Sequence, residues 1–149
     1  MSTTTQAGQY QDTKIDVKLV LSAPWIAMLI VFAYVDTFGF LRADVVDAAL
    51  DGKMAATGIT VDQVFLVFTT VYILIPTLMV FLSLVLRPRV NRIVNIVVAL
   101  FYAVSIIASG IGEGWVYYIL GSVVEVVLLV AIVRTAWTWP RTQVAPSLR

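Results

Sequence analysis

Cysteine and histidine are both missing from the 149 residues. With them go disulfide frameworks, thiol redox pairs, zinc sites of the usual ligand set, His-ligated haem and any His-based catalytic triad. Charge is scarce as well. Asp, Glu, Lys and Arg together make up 13% of the chain, the net charge is +1 and there is no basic arm, so nucleic-acid binding has no electrostatic footing. What the chain has instead is apolar bulk: 60% of its residues are hydrophobic, more than a water-soluble fold of this size uses. The bilayer is therefore its expected partner.

A hydrocarbon core roughly 30 Å thick needs about 20 apolar residues at helical rise. Four runs of that length stand between charges, at about residues 19–41, 64–86, 93–111 and 115–134. They predict an all-α bundle of four transmembrane helices over residues 14–139, flanked by a disordered Ser-, Thr- and Gln-rich tail at residues 1–13 and a second tail at residues 140–149. Gly112, Glu113 and Gly114 leave so short a link that the last two spans form an antiparallel hairpin. Lys14, Lys18, Arg87, Arg89, Arg92, Arg134, Arg141 and Arg149 fall on the side of both termini, against Arg42 and Lys53 opposite, which predicts cytoplasmic termini. A cleaved signal peptide is the rival reading of the first span. Asp12 and Asp16 in its leading region, and the length of the apolar run, oppose it.

The first outer loop, from Arg42 to Ile59, should carry a short amphipathic helix on the membrane surface, capped by Asp44, with Val45, Val46, Ala49 and Leu50 on one side and Gly52 at its end. Thr60 and Gln63 fit a capping box for the second span. Pro76 removes a donor within that span and leaves the carbonyl of Tyr72 in search of another partner. Gly110, Gly112 and Gly114 superficially suggest a nucleotide-binding loop, but no strand precedes them and turn-making explains them.

Spans associate through small residues, packing and interhelical hydrogen bonds, so polar positions within them mark the inward face. Asn95, Tyr102, Ser105 and Ser109 recur along one stripe of the third span, and Asp62, Thr69, Tyr72, Pro76 and Ser83 along one of the second. Trp25, Phe32 and Asp36 share a stripe of the first; Tyr118, Ser122 and Glu125 share a face of the fourth. The two acids are the informative positions. Glu125 lies ten residues past Trp115, on the order of 15 Å deep, and Asp36 about 9 Å below the outer boundary. No Lys, Arg or His lies at either depth, so burial favours a neutral Glu125 that donates a hydrogen bond or meets water. Pairing through the glycine turn makes Tyr102 its expected partner. Asp36 comes level with Thr69, Thr70, Ser105 and Ser122, which leaves room for a small pocket open to the outside. The candidate ligand- or proton-binding residues are thus Asp36, Tyr102, Ser105, Ser122 and Glu125, with Thr69, Tyr72 and Tyr118 secondary. Packing and interhelical bonding is the competing explanation for the hydroxyl residues, and a satisfied structural hydrogen bond for the acids. Glu113 reads as an ordinary interfacial charge.

The segments LMVFLSLVLRPRVNRIVNI from Leu78, GEGWVYYI from Gly112 and GSVVEVV from Gly121 resemble a small bacterial family of four-span membrane proteins classed as a domain of unknown function. KIDVKLVLSAPWI from Lys14, YVD at Tyr34 to Asp36 and TAWTWP from Thr135 fit it too. The resemblance implies an integral protein of the bacterial cytoplasmic membrane and brings no established activity or ligand.

No catalytic nucleophile, metal-ligand set or cofactor motif accompanies the acids, so no catalysis, metal or cofactor is expected. The favoured function is a non-enzymatic small-ligand-binding protein, or an accessory subunit of a larger membrane complex, built around a carboxylate-lined pocket. The alternative is a proton-coupled small-molecule transporter that acts as a homo-oligomer, with Glu125 as the coupling carboxylate, because four spans make a thin pathway for one chain. Acid–base catalysis by Asp36, Tyr102 and Glu125 ranks last.

Overall fold

The computed structural model describes residues 15–139. The expected tails at residues 1–13 and 140–149, with Lys14, Arg141 and Arg149, lie outside the described residues. The described chain forms α1 (Val17–Gly39), α2 (Ala43–Leu50), α3 (Gln63–Val85), α4 (Pro88–Ser109) and α5 (Val116–Trp137). All but α2 are long and apolar enough to cross a membrane. Apart from an isolated bridge between Lys53 and Thr60, the described residues contain no strand. The all-α, four-span architecture is as the hydropathy pattern predicts.

The helix ends differ from expectation in ways that local chemistry explains. At α3 the Asp62 carboxylate accepts from the Phe65 N–H at 2.8 Å and makes the cap, while Thr60 sits in the bridge to Lys53; no Thr60–Gln63 capping box forms. Asp62 wins because it directly precedes the helix with an extended backbone, which puts a strong acceptor over the open donors of the first turn. Asp44 does not cap α2. The N-cap there is Arg42, and Asp44 lies in the first turn, paired with the Arg42 guanidinium. Of residues 87–92, which the hydropathy runs leave between spans, all but the N-cap Arg87 are helical: α4 starts at Pro88, because proline at the first helical position gives up an N–H that would be unpaired anyway. Gly52 does end α2. Its φ of +67° lets the Gly52 N–H donate to Ala49 O at 3.0 Å and the Lys53 N–H to Ala48 O at 2.8 Å, the Schellman arrangement.

The four long helices form a ring in which α1 packs on α3 and α5, α5 packs on α4, and α4 touches α3 only sparsely. Their up-and-down course brings Lys18, Arg87, Arg89, Arg92 and Arg134 to one end, termed the terminal end, and α2 and Glu113 to the other, the α2 end. The core is concentrated toward the terminal end, where Trp25, Met79, Ala99 and Leu129 interlock. Gly121 on α5 is the close approach to α1, since a Cβ there would run into the Val35 side chain.

Candidate functional site

The middle of the bundle is organised by Pro76. Its missing N–H leaves the Tyr72 carbonyl bare in a medium with no water to satisfy it. The Tyr102 hydroxyl, reaching across from α4, donates to that carbonyl. In return the Tyr72 hydroxyl shares a 2.6 Å hydrogen bond with Ser105, whose own hydroxyl donates to Tyr102 O at 3.0 Å. Each hydroxyl has one proton to give, so the circuit runs from Tyr72 to Ser105 to the Tyr102 carbonyl, and from Tyr102 back to the Tyr72 carbonyl. The predicted residues Tyr72, Tyr102 and Ser105 are therefore brought together. A cavity of about 10 Å³ beside them, bounded by Met28, Phe32 and Pro76, is at the lower limit for one water.

Glu125 is 3% exposed, and its Oε1 has no hydrogen-bond partner. Tyr102 is not its partner, contrary to expectation, because the carbonyl freed by Pro76 takes the single Tyr102 proton. The contact from the Tyr118 hydroxyl to Ser109 Oγ, 3.0 Å, sets the antiparallel register of α4 and α5, and counting inward along both helices brings Glu125 level with Tyr102. On α1, the approach of Val35 to Gly121 puts Val31 at the same height. Glu125 thus lies at the depth of the tyrosine circuit and outside it.

The other predicted residues are more dispersed. Thr69 and Thr70 bond back to their own helix, at Phe65 O (3.0 Å) and Leu66 O (2.8 Å), so they form no hydrogen-bonded layer with Asp36. A hydroxyl in an apolar helix finds the carbonyl one turn earlier always within reach. Asp36 and Thr69 are exposed, and Tyr118 is half-buried. Ser122 borders a lipid-facing groove of about 350 Å³ between α4 and α5, otherwise walled by Ile, Val and Gly110. Among the described residues no cluster of Asp or Glu is placed to hold a metal ion.

The structure adds two polar constellations whose bonding the inward stripes, though they held Trp25, Ser83 and Asn95, did not specify. Near the terminal end, Asn95 Oδ1 accepts from Trp25 Nε1 (2.8 Å) and Ser83 Oγ (3.1 Å), and its Nδ2 donates to Asn91 O (3.0 Å) and Asn91 Oδ1. Asn91 in turn donates to the open Ser83 carbonyl at the end of α3, at 2.6 Å. Every Asn95 hydrogen-bonding site is filled, so this is a lock between α1, α3 and α4. Two asparagines four apart in an apolar run were the available signal. At the α2 end, Arg42 grips Asp44 through paired bonds of 2.6 and 3.1 Å, reaches Glu113 at 3.2 Å and lies 4.7 Å from the Trp115 ring centroid. Glu113, far from an ordinary interfacial charge, also accepts from the N–H groups of Gly114 and Trp115. The hydrogen bonds with Asp44 hold the Arg42 pKa above its ordinary value, and the same bonds hold Asp44 below its own. Burial alone would raise Glu113; the Trp115 N–H and the guanidinium outweigh it and lower it. This clamp ties the α1–α2 joint to the α4–α5 turn.

Four membrane-compatible helices around a sealed carboxyl and a tyrosine circuit define a multi-pass α-helical membrane protein. The chain belongs to DUF6326, a family of unknown function, the match running over residues 10–146. Comparison with curated proteins and with solved structures gave no match.

Proposed function

We propose that the protein is a non-enzymatic membrane protein in which the Glu125 carboxyl is the binding group, taking up a proton or a small cationic or hydrogen-bonding ligand inside the bilayer. It does so as a small-ligand-binding protein or as an accessory subunit of a larger assembly. One observation carries this reading: among the described residues, Glu125 Oε1 is the buried side-chain polar atom left without a partner. Ser22, Ser83, Asn91 and Asn95, equally buried, all have theirs. An acid kept for structure should have acquired a partner, as these did, since leaving a buried polar group unpaired costs about 1–3 kcal/mol. The site belongs to a bacterial cytoplasmic membrane, with the terminal end in the cytoplasm; the excess of Lys and Arg at that end supports the orientation.

The test is chemical. An apolar carbodiimide partitions into lipid and reacts with neutral carboxylic acids, so treatment of the full chain in phosphatidylcholine vesicles should leave an adduct on the peptide containing Glu125. Absence of that adduct with the reagent in large excess over the chain would refute the assignment.

A second reading shares the carboxyl. α3 runs continuously through Pro76 near the level of Glu125, a place where a helix can bend, and this favours a proton-coupled transporter acting as an oligomer. Proton-driven flux in proteoliposomes that vanishes in Glu125→Gln would support it; flux unchanged by the substitution would count against it.

A further inference from the structure

The inward face of each long helix can be followed from the terminal end to the α2 end, and its burial changes on the way. On α1, Asp36 lies eleven residues beyond Trp25, within about 20° of the same face. On α3, Thr69 lies seven residues before Pro76, again within about 20°, and on α4, Ser109 is five full turns from Asn91 at about 3.6 residues per turn. Trp25, Pro76 and Asn91 are buried, whereas Asp36, Thr69 and Ser109 are exposed. On α5, Glu125 is buried and Tyr118, on its face one step outward, is half-buried. The inward faces are shut in the terminal half and, apart from Gly121 and Ile106, flare open toward α2.

The flare has a side. The Arg42–Glu113 clamp binds the α1–α2 joint to the α4–α5 turn, and none of its bonds reaches α3. The sparse contact between α3 and α4 is anchored by Ser83 with Asn91 and Asn95 near the terminal end, and by Tyr72 with Tyr102 and Ser105 at mid-depth. Beyond Tyr72 toward α2, no hydrogen bond between described residues joins these two helices. On the inward faces at this end Asp36, Thr69, Ser105, Ser109 and Tyr118 from all four long helices are polar, with Phe65 half-buried and Ile106 buried beside them. A lipid-filled gap between helices would favour apolar walls, and a carboxylate facing lipid is costly even on the lenient insertion scale. Water in the gap removes that cost.

We infer that the α2-end half of the bundle holds a hydrated crevice along the α3–α4 seam, which admits small cations past Asp36 and ends on the Tyr72–Tyr102–Ser105 circuit. As the route by which a proton or cation reaches the depth of Glu125, it rests on the function proposed above; as a hydrated crevice it does not. Asp36 supplies the selectivity. No cationic side chain of the described residues pairs with it, so its field within a confined low-dielectric passage concentrates cations and repels anions. The tyrosine circuit is the floor, because its hydroxyls are already committed to one another and to the Tyr72 carbonyl.

Thiol accessibility tests this directly, since the chain contains no cysteine and each introduced one reports alone. Thr69→Cys and Ser109→Cys place a thiol in the crevice. Phe68→Cys and Ile107→Cys place one at similar depth on positions that are 71% and 58% exposed but turned to lipid. In unsealed membrane fragments carrying the full chain, methanethiosulfonate reagents, one cationic and one anionic, react only where water allows a thiolate to form. Either crevice position should react at least about tenfold faster than the lipid-facing pair, and faster with the cationic reagent by about tenfold, a preference that Asp36→Asn should abolish. Crevice thiols no faster than lipid-facing ones would overturn the inference. A charge preference that survives Asp36→Asn would overturn its cation-selecting part. Neither readout involves Glu125, so failure here leaves the carbodiimide test of that residue standing, and failure there leaves this one.

Discussion

At the scale of single residues, Glu125 and Asn95 make opposite uses of burial. Both are inside the bundle, but Asn95 has donors and acceptors matched on all sides, whereas the Glu125 carboxyl has an atom with nothing to bond. Removing the first should hurt and removing the second should help. Glu125→Leu is expected to raise thermal stability in detergent by about 1–3 kcal/mol, since an orphaned group is replaced by an apolar one. Asn95→Leu should lower it by at least about 2 kcal/mol, because the Trp25 indole N–H and the Ser83 hydroxyl then lose their acceptor. A Glu125→Leu variant that melts lower than the parent would mark the carboxyl as structural. Position and depth of Glu125 could be read from helical rise alone. Its lack of a partner could not, because that depends on where the Tyr102 proton goes, and a carbonyl freed on a different helix decides it.

At the scale of elements, the α3–α4 pair turns on a substitution at one place being answered at another. Pro76 creates the open Tyr72 carbonyl and Tyr102 closes it, so the two should be coupled in a double-mutant cycle. Tyr102→Phe alone is expected to cost about 1–3 kcal/mol by stranding the carbonyl. In a Pro76→Ala background the backbone N–H restored at that position can serve the carbonyl, and the same Tyr102→Phe change should cost less than half as much. Equal costs in both backgrounds would mean that the Tyr102 bond has nothing to do with the proline. The clamp at the α2 end gives a pH signature instead. Glu113 and Asp44 are held below their ordinary values of 4.5 and 3.8. A carboxylate depressed by folding adds stability above its unfolded value and loses it as the pH falls through the folded one. The clamp should therefore be at full strength above about pH 4.5 and fail progressively on further acidification, and Arg42→Gln should flatten that acid limb of a melting-temperature profile. The open Tyr72 carbonyl was legible from Pro76. The clamp was not, since Arg42 and Glu113 are 71 positions apart and only the ring order of the helices joins them.

At the scale of the whole molecule, hydrophobic run length was sufficient for the four spans, because in a bilayer backbone satisfaction leaves an apolar stretch of this length little choice but helix. Their ends were less legible: Asp62 and Pro88 shift two starts through local capping chemistry that hydropathy does not register. The polar stripes marked the inward faces, yet they did not reveal that positions on them are buried toward the terminal end and exposed toward α2. The proposed function rests on a carboxyl held inside a membrane bundle without a fixed partner, and infrared spectroscopy reads that state directly. With the full chain in bilayers at neutral pH, the spectrum should contain the carbonyl band of a neutral carboxylic acid, and Glu125→Gln should remove it. A spectrum without that band, or one in which the band survives the substitution, would contradict the assignment of Glu125 as a proton-holding group.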